Sequence, residues 1–322
     1  MTVIHPRTAD EAAAYTGEFR AGGTDVEARR RIGLTHPVTI DLRNVPGLAG
    51  IEQRPDATVI GSMTRLGVLI DELASTYPAI SLTTAGLASP EIRAVGTVGG
   101  NLLQQTRCWY FRTGEVDCLK TGSDGCPARV GRHHFGNIFD TSTCVAPHPS
   151  SLAAAFLLYD ATVVIHPDAR RPLAALYDPI DATAEHTLSP HEVLVSVVLP
   201  PPVKHESGSY RRATARTHAE WPLVEVACRL VIRDGRIVLA RVAAGGVAPV
   251  PLRLSAVEHR LLGANAEPET LAEAARLAAH GSRPAPQAKY KVELLQGVVH
   301  QVLEDAVARS AVSEAAFDER AL

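Results

Sequence analysis

The chain has 322 residues, of which 46% are hydrophobic, 21% charged and 5% aromatic. This profile excludes a disordered chain, and the length suggests about two domains at ~150 residues each. The 32 basic and 35 acidic residues leave a net charge of −3, which provides no basic field for nucleic acid.

Short helices and strands alternate over the first hundred residues. Thr8 and Glu11 form a capping box ahead of an Ala-rich helix that we expect to end near Gly17. Beyond it, strand-like and helix-like patterns take turns. The expected strands are 19–21, 38–42 and 58–61, the expected helices run to Ile32 and over 64–74, and 92–101 is expected to be a strand and turn.

Regular patterns return in the second half of the chain. A helix at 151–158, strands at 162–165 and 193–199 and a proline-rich linker at 200–207 are predicted there. The last third has the pattern of a separate unit. It contains a hairpin, 224–232 and 237–244, around an Asp-Gly turn, followed by helices at 269–280 and 290–308.

No segment is typical of secretion or of a membrane span. The first 20 residues lack a continuous apolar stretch, and residues 152–165 are too short and are interrupted by Asp160. We therefore expect a cytoplasmic protein with no membrane contact, although export on a partner's signal is compatible with this pattern. In a reducing compartment, clustered cysteines indicate metal binding rather than disulfides.

Two glycine-rich segments are candidate phosphate-binding loops. AGGTD (21–25) lies between a strand and a helix, where backbone N–H groups can approach an anion closely. GTVGGN (96–101) is expected to expose backbone donors in the same way. Each segment alone is equally compatible with an ordinary turn. Together, about 75 residues apart, they could hold a diphosphate from two sides; neither is a Rossmann or P-loop motif.

Four of the five cysteines lie in a stretch from 104 to 146 that has neither helical nor strand periodicity, which we call the cysteine loop. Loops of that length without regular structure are uncommon in compact domains, and a bound cofactor would account for this one. Four thiolates could hold zinc, a [4Fe–4S] cluster or a [2Fe–2S] cluster, or they could be four unrelated buried cysteines. Their wide spacing favours a cubane over zinc, and Cys228 is predicted to lie in the core. The four are Cys108, Cys118, Cys126 and Cys144.

No side chain stands out as a general acid, general base or nucleophile, because neither a Ser-His-Asp set nor HExxH can be argued from this sequence. We therefore assign no catalytic residue.

Three segments occur in the order that is typical of one family: AGGTD (21–25), GTVGGN (96–101) and APHPSSL (146–152). In this respect the chain resembles the FAD-binding medium subunits of molybdenum hydroxylases, the xanthine and carbon monoxide dehydrogenase group. RVAAGGVAPVPLR (241–253) is similar to the C-terminal domain of the same family. The resemblance implies an α+β fold: a two-lobed FAD-binding domain of the vanillyl-alcohol-oxidase (PCMH) type at 1–205, with lobes of about 1–52 and 53–205. A C-terminal α+β domain of the carbon monoxide dehydrogenase flavoprotein type would follow at 206–322.

The resemblance also implies which residues hold FAD. The first segment would surround the diphosphate, and the others would lie along the dinucleotide or near the flavin. Ser151 replaces the family's aspartate, and Arg211 stands where lysine is usual, which puts both contacts in doubt. The implied set is Phe19, Arg20, Ala21, Gly22, Gly23, Thr24, Asp25, Val26, Glu27, Thr97, Gly100, Asn101, Thr106, Ser151, Leu194 and Arg211.

GNLLQQTRC (100–108) and the three later cysteines are similar to one branch, the aldehyde oxidoreductase and 4-hydroxybenzoyl-CoA reductase flavoprotein subunits, whose inserted loop carries an additional [4Fe–4S] cluster. The aldehyde oxidoreductase type is the more similar of the two, and the complex would oxidise an aldehyde or a heterocycle. This implies an electron-transfer subunit that works with a molybdopterin-binding large subunit and a small [2Fe–2S] subunit. NAD, oxygen, ferredoxin and quinone all stay open as the acceptor. Two alternatives remain: a free-standing flavoenzyme that acts on its own substrate, and a non-catalytic subunit with a structural zinc loop.

Overall fold

Three β-sheets follow one another along the chain, and helices cover each of them. The computed structural model describes residues 2–181, 183–217 and 219–318, with the side chains up to residue 311. Buried apolar side chains form one cluster in each of the three parts of the described chain.

The N-terminal lobe is a small parallel sheet with two helices. Its elements are β1 Thr2–Ile4, α1 Ala9–Ala14, β2 Glu18–Arg20, α2 Val26–Arg30 and β3 Val38–Asp41. β3 lies between β1 and β2 and runs parallel to both, so the helices serve as crossovers. The Thr8 hydroxyl begins α1 by accepting a hydrogen bond from the Glu11 N–H at 3.0 Å.

The middle of the chain forms a five-stranded antiparallel sheet in the order β4-β5-β8-β6-β7, with helices packed on it. A core that includes Ile60, Leu69, Phe156 and Val197 lies between sheet and helices. Its elements are β4 Ile51–Gln53, β5 Thr58–Gly61, α3 Leu66–Glu72, α4 Pro78–Gly86, α5 Pro90–Val95, α6 Val98–Leu102, α7 Trp109–Thr113, α8 Ser151–Leu157, β6 Thr162–His166, β7 Ala169–Pro172 and β8 Val193–Leu199.

The C-terminal part is a four-stranded antiparallel sheet in the order β12-β11-β10-β9, covered by three helices. Asp234 and Gly235, both with positive φ, make the tight turn of its central hairpin, as a two-residue type I′ loop requires. Its elements are β9 Glu206–Ala213, β10 Val224–Arg233, β11 Arg236–Gly245, β12 Leu252–Arg253, α9 Ser255–Leu261, α10 Pro268–Arg276 and α11 Tyr290–Asp318.

The strongest sequence patterns are confirmed, including the capped first helix, the buried strand β8 and the Asp-Gly hairpin β10–β11. The prediction of a strand and turn at 92–101 is wrong, because this segment lies in α5 and α6. Ser89 caps α5 and Pro90 occupies its first turn, a helix-start signal that outweighs the strand-like residues. The predicted linker overlaps β9, which begins at Glu206, and α4 had no predicted counterpart.

The cysteine loop contains only α7 and two short 3-10 turns, Leu119–Thr121 and Pro127–Arg129, between long irregular segments. This agrees with the lack of periodicity in its sequence. In the described ranges, no helix has both the length and the apolar character needed to cross a bilayer.

Candidate functional site

A cavity of about 670 Å³ lies between the N-terminal lobe and the five-stranded sheet. Three segments that are far apart in sequence supply most of its wall: 17–26, 97–105 and 183–194. The cysteine loop adds Phe111, Lys120 and Thr121. The cavity is within the size range of small-molecule and cofactor sites, about 300–1,000 Å³.

Ten of the sixteen residues that the family resemblance assigns to FAD line this cavity. They come from both glycine-rich segments, from β2 and α2 on either side of the first segment, and from β8. The ten are Phe19, Ala21, Gly22, Gly23, Thr24, Asp25, Val26, Thr97, Gly100 and Leu194.

The two glycine-rich segments touch each other at the cavity, as their pairing predicts. A Cβ on Gly22 would lie 2.0 Å from the carbonyl oxygen of Val95, so the two backbones approach too closely for any side chain. A Cβ on Gly100 would lie 3.6 Å from the Cβ of Ala21. Gly23 has φ +78, in the left-handed region that favours glycine. Glycine is therefore required at Gly22 by contact and at Gly23 by conformation.

The first segment offers unused hydrogen-bond donors. No acceptor is found within the described residues for the backbone N–H groups of Gly22, Gly23 and Thr24. Three consecutive free N–H groups in a cavity wall form a concave binding site for an anion. This part of the wall fits a diphosphate.

The second segment does not offer such donors, which corrects the expectation for GTVGGN. The Val98 and Gly99 N–H groups donate to the carbonyls of Thr64 and Ser62, at 2.9 and 2.7 Å. The Gly100 N–H donates to the Thr97 hydroxyl at 3.1 Å, and the Asn101 N–H to the Thr97 carbonyl. Here the small residues permit close packing, since a Cβ on Gly99 would lie 3.0 Å from the Cβ of Ser62.

Asp25 ties the first segment to the start of the cysteine loop. Its carboxylate accepts from Arg29 Nε at 3.0 Å and from Arg112 at 2.8 Å, and Arg107 lies 3.0 Å away. The Gln105 N–H donates to it as well, at 3.2 Å. Burial opposes ionisation of Asp25, but the surrounding arginines outweigh it and lower its pKa. The carboxylate therefore lines the cavity with its oxygens already engaged, and it holds the start of the cysteine loop in place.

The other six predicted residues do not line the cavity. Arg20 pairs with Asp41 and Glu27 beside it, and the buried Asn101 accepts from the Ser150 hydroxyl at 2.7 Å. The Thr106 hydroxyl accepts from the Cys108 N–H at 3.3 Å, so it positions the cysteine. The six are Arg20, Glu27, Asn101, Thr106, Ser151 and Arg211.

Ser151 and Arg211 lie on the side of the C-terminal sheet. Ser151, at the start of α8, hydrogen-bonds to the buried pair of Tyr210 and Glu225. The Tyr210 hydroxyl donates to the Glu225 carboxylate at 2.5 Å, and burial raises the pKa of that carboxyl group. Arg211 is half exposed and pairs with Asp305 of α11. The two positions where the chain departs from the family pattern are thus engaged elsewhere.

Two cavity residues that carry unpaired polar atoms, Ser62 and His186, were not identified from the sequence. The Ser62 hydroxyl is buried and has no partner among the described residues, although it follows directly on strand β5. His186 Nδ1 is likewise buried and unpaired within the described ranges, and burial lowers the pKa of this ring. A polar residue at the end of a buried strand could have indicated Ser62, whereas His186 lies in an irregular segment without a local signal.

The cysteine loop brings its four cysteines into one region as free thiols. The Cys126 and Cys144 thiols hydrogen-bond to each other, which lowers the pKa of Cys126 to about 5 and raises that of Cys144. Burial raises the pKa of Cys108, and the nearby Cys126 and Cys118 thiols raise it further.

Backbone N–H groups point at several of these sulfur atoms. The N–H groups of Tyr110 and Phe111 donate to the Cys108 sulfur, and the Ala146 N–H donates to the Cys144 sulfur. Such donors stabilise negative charge on sulfur. Within the described residues, however, no group of three or more His, Cys, Asp or Glu side chains is placed to hold a metal ion.

Comparisons with known proteins agree with this geometry. Residues 1–202 match the family of the FAD-binding domain in molybdopterin dehydrogenase, and residues 209–306 match the carbon monoxide dehydrogenase flavoprotein C-terminal domain. The chain therefore belongs to the FAD-binding flavoprotein subunits of the xanthine dehydrogenase family of molybdenum hydroxylases. This confirms the α+β architecture and the family that the sequence resembles.

Individual relatives cover nearly the whole chain. It is 33% identical to the aldehyde oxidoreductase FAD-binding subunit PaoB of Escherichia coli, over 91% of this chain and 92% of that protein. It is 25% identical to the carbon monoxide dehydrogenase medium chain of Afipia carboxidovorans, over 90% of this chain and 88% of that one. The solved carbon monoxide dehydrogenase of Hydrogenophaga pseudoflava shares the fold, with a TM-score of 0.75, 22% identity and coverage of 96% and 98%.

Proposed function

We propose that the cavity between the N-terminal lobe and the five-stranded sheet holds FAD, with its diphosphate at the first glycine-rich segment. The observation that carries this is the run of three N–H groups at Gly22, Gly23 and Thr24 without a partner among the described residues, an arrangement suited to binding an anion. Arg29 also lines the cavity, but its guanidinium is paired with Glu18 and Asp25, so the backbone N–H groups are the main donors for the diphosphate.

The remaining wall suits the rest of the dinucleotide. The unpaired Ser62 hydroxyl and His186 ring nitrogen can hydrogen-bond to its polar groups, and both would be costly to leave unpaired. Phe19 and Leu194 provide apolar surface for a ring system. Bound FAD would supply the redox chemistry, while these residues hold it and shield it from water.

We further propose that Cys108, Cys118, Cys126 and Cys144 ligate a [4Fe–4S] cluster. Support comes from their free thiols in one region and from the N–H groups aimed at the sulfurs. Such a cluster would supply one-electron transfer, and donors of this kind tune its potential. Because its irons lie apart, its ligands need not converge on a single point.

In this proposal the chain is the electron-transfer subunit of a heteromeric, cytoplasmic aldehyde oxidoreductase. It would receive electrons from a molybdopterin-binding large subunit and a small [2Fe–2S] subunit and pass them to NAD, oxygen, ferredoxin or quinone. The 33% identity to an aldehyde oxidoreductase subunit over nearly the full chain supports this choice of complex. We place the boundary between the FAD-binding domain and the C-terminal domain at about residue 205.

Flavin, iron, zinc and sulfide analysis of the purified chain tests both cofactors. We expect one FAD and about four irons with four sulfides per chain. Cys126→Ser should lose the iron, and Cys228→Ser, a substitution in the buried core, should keep it. Flavin without iron would overturn the cluster alone, whereas a chain without flavin would overturn the FAD site.

Co-expression with candidate large and small subunits tests the complex. We expect the three chains to purify together and aldehyde oxidation to need all of them. An isolated chain that oxidises aldehydes at the rate of the complex would contradict the electron-transfer role and favour a free-standing flavoenzyme.

A further inference from the structure

A second cavity, of about 390 Å³, lies between the cysteine loop and the C-terminal domain. It shares no lining residue with the first cavity. Trp109, Tyr110, Phe135 and Trp221 form aromatic parts of its wall. Trp109 is 57% exposed and Trp221 41%, so the aromatic wall is accessible to solvent. Its volume and apolar wall are those of a small-molecule site.

Lys291 lines this cavity and is 1% exposed. Its ammonium donates to the carbonyls of Phe135 and Gly246, at 3.1 and 2.9 Å, which uses two of its three N–H groups. No carboxylate within the described ranges forms an ion pair with it. Burial lowers the pKa of Lys291 to about 7. A buried cation without a counter-ion is costly, and a bound anion would offset that cost.

His148 adds a second unsatisfied group to the same wall. Its Nε2 is buried and has no partner in the described part of the chain, and burial lowers the pKa of the ring to about 3, so it is neutral. Of the other charged residues of the wall, Arg107 pairs with Asp25 and lies over the Trp221 ring, and Glu220 pairs with Arg216. Arg132, on the exposed side of the wall, has no carboxylate partner among the described residues, and neither has Lys291 in the interior.

The geometry points to a binding site for a small planar aromatic carboxylate, with its ring among the tryptophans and its carboxylate at Lys291 and His148. An apolar aromatic wall with one buried cation suits this class better than a neutral ring, which would leave the ammonium uncompensated, or a free phosphate, which would gain nothing from the wall. This assignment does not depend on the FAD proposal, because the two cavities share no lining residue. Cys108, one of the proposed cluster ligands, also lines the second cavity, so the carboxylate site would lie beside the cluster.

The chain provides its own reporter, since both of its two tryptophans line this cavity. The purified full chain, with and without FAD, is titrated with benzoate and with the neutral isostere benzamide, using tryptophan fluorescence and calorimetry. We expect benzoate to bind at least about tenfold more tightly than benzamide, the effect of one charged hydrogen bond.

Lys291→Met should abolish that preference, and Lys289→Met, an exposed lysine two residues away, should keep it. If Lys291→Met fails to fold, Trp109→Ala should weaken both ligands alike, because Trp109 is exposed and its loss removes only wall. Equal affinity for benzoate and benzamide would overturn the inference, as would an unchanged preference in folded Lys291→Met. Benzoate binding only to FAD-free protein would also overturn it, since the flavin would then occupy this cavity.

Discussion

Two glycine-rich segments meet at one cavity, yet they differ in what they leave for a ligand. In the first, the N–H groups of Gly22, Gly23 and Thr24 have no partner within the described residues. In the second, the N–H groups from Val98 to Asn101 are all used inside the protein. The first segment therefore supplies binding, and the second supplies packing that holds the first in place.

This difference lies in backbone conformation and not in composition. Gly23 has positive φ and precedes a five-residue helix, so its neighbours point their N–H groups outward. Gly99 and Gly100 lie inside α6, where the Ser62 carbonyl accepts from the Gly99 N–H and the Thr97 cap accepts from the Gly100 N–H. Changes in the first segment should thus affect FAD affinity, and changes in the second should affect stability.

The largest effect is expected from Asp25→Asn, which removes the carboxylate that Arg107 and Arg112 pair with and one of the two that Arg29 pairs with. Removing one partner of a buried charge network should lower the free energy of unfolding by about 3 kcal/mol. Urea denaturation of the FAD-free protein measures it. Glu27→Gln is the matched control, because Glu27 is 46% exposed and its loss should cost well under about 1 kcal/mol. Equal costs for the two variants would contradict the anchoring role of Asp25.

Acid titration sharpens the same test. The pKa of Asp25 is lowered below its ordinary value of 3.8 in the folded chain, so its contribution is complete above that pH. It is lost as the pH falls through the folded-state pKa. The difference in unfolding free energy between the wild type and Asp25→Asn should therefore shrink below about pH 4. A difference that grows in acid would have the wrong sign for a lowered pKa.

Gly22→Ala should come next. The new methyl group would meet the Val95 carbonyl, a backbone atom that cannot move aside cheaply. We expect a loss of about 2 kcal/mol in stability and a flavin content far below that of the wild type, measured by absorbance per chain. Gly125→Ala is the control, since nothing lies within 4 Å of its Cβ position. Full flavin retention in Gly22→Ala would show that the first segment does not bind the diphosphate.

Thr97→Ala tests the second segment. It removes the hydroxyl that accepts from the Gly100 N–H and caps α6, which should cost about 1 kcal/mol in stability. FAD affinity, from flavin fluorescence titration, should change much less than in Gly22→Ala. A larger loss of FAD affinity than in Gly22→Ala would reverse the assigned roles.

The smallest expected effect on stability belongs to Ser62→Ala. Its buried hydroxyl lacks a partner in the described structure, so its removal should leave the FAD-free protein unchanged or up to about 1 kcal/mol more stable. FAD binding should nevertheless weaken several-fold, if this hydroxyl completes its hydrogen bonds with the dinucleotide. A clear loss of stability without FAD would refute this view of Ser62.

Local signals allowed part of this arrangement to be predicted from sequence. A glycine pair between β2 and α2, the Thr8 cap and the Asp-Gly hairpin each depend on neighbouring residues. What distinguishes the two glycine-rich segments depends instead on long-range contacts. The Thr64 carbonyl, which accepts from the Val98 N–H, lies 34 positions before Val98 in the sequence. Arg112, which donates to the Asp25 carboxylate, lies 87 positions after Asp25.

Family resemblance and geometry also diverge at specific residues. Ser151 and Arg211 were assigned to FAD by their positions in family motifs, whereas the structure engages them with Glu225 and Asp305. Both assignments remain predictions, because the pattern shows which position matches but not what surrounds the side chain. His186 is the opposite case: no sequence motif indicates it, but the folded chain places it at the cavity.

Lys120 and Thr121 give the molecule one more property. They follow Cys118 by two and three residues, and they line the first cavity, where Lys120 pairs with Glu185 at 3.0 Å. The proposed FAD in this cavity and the proposed cluster on the cysteines would therefore share a wall. Any coupling between the two loading reactions must be reciprocal, so that filling either site changes the affinity of the other by the same factor. The order in which the subunit acquires its cofactors would then leave the combined free energy of loading unchanged.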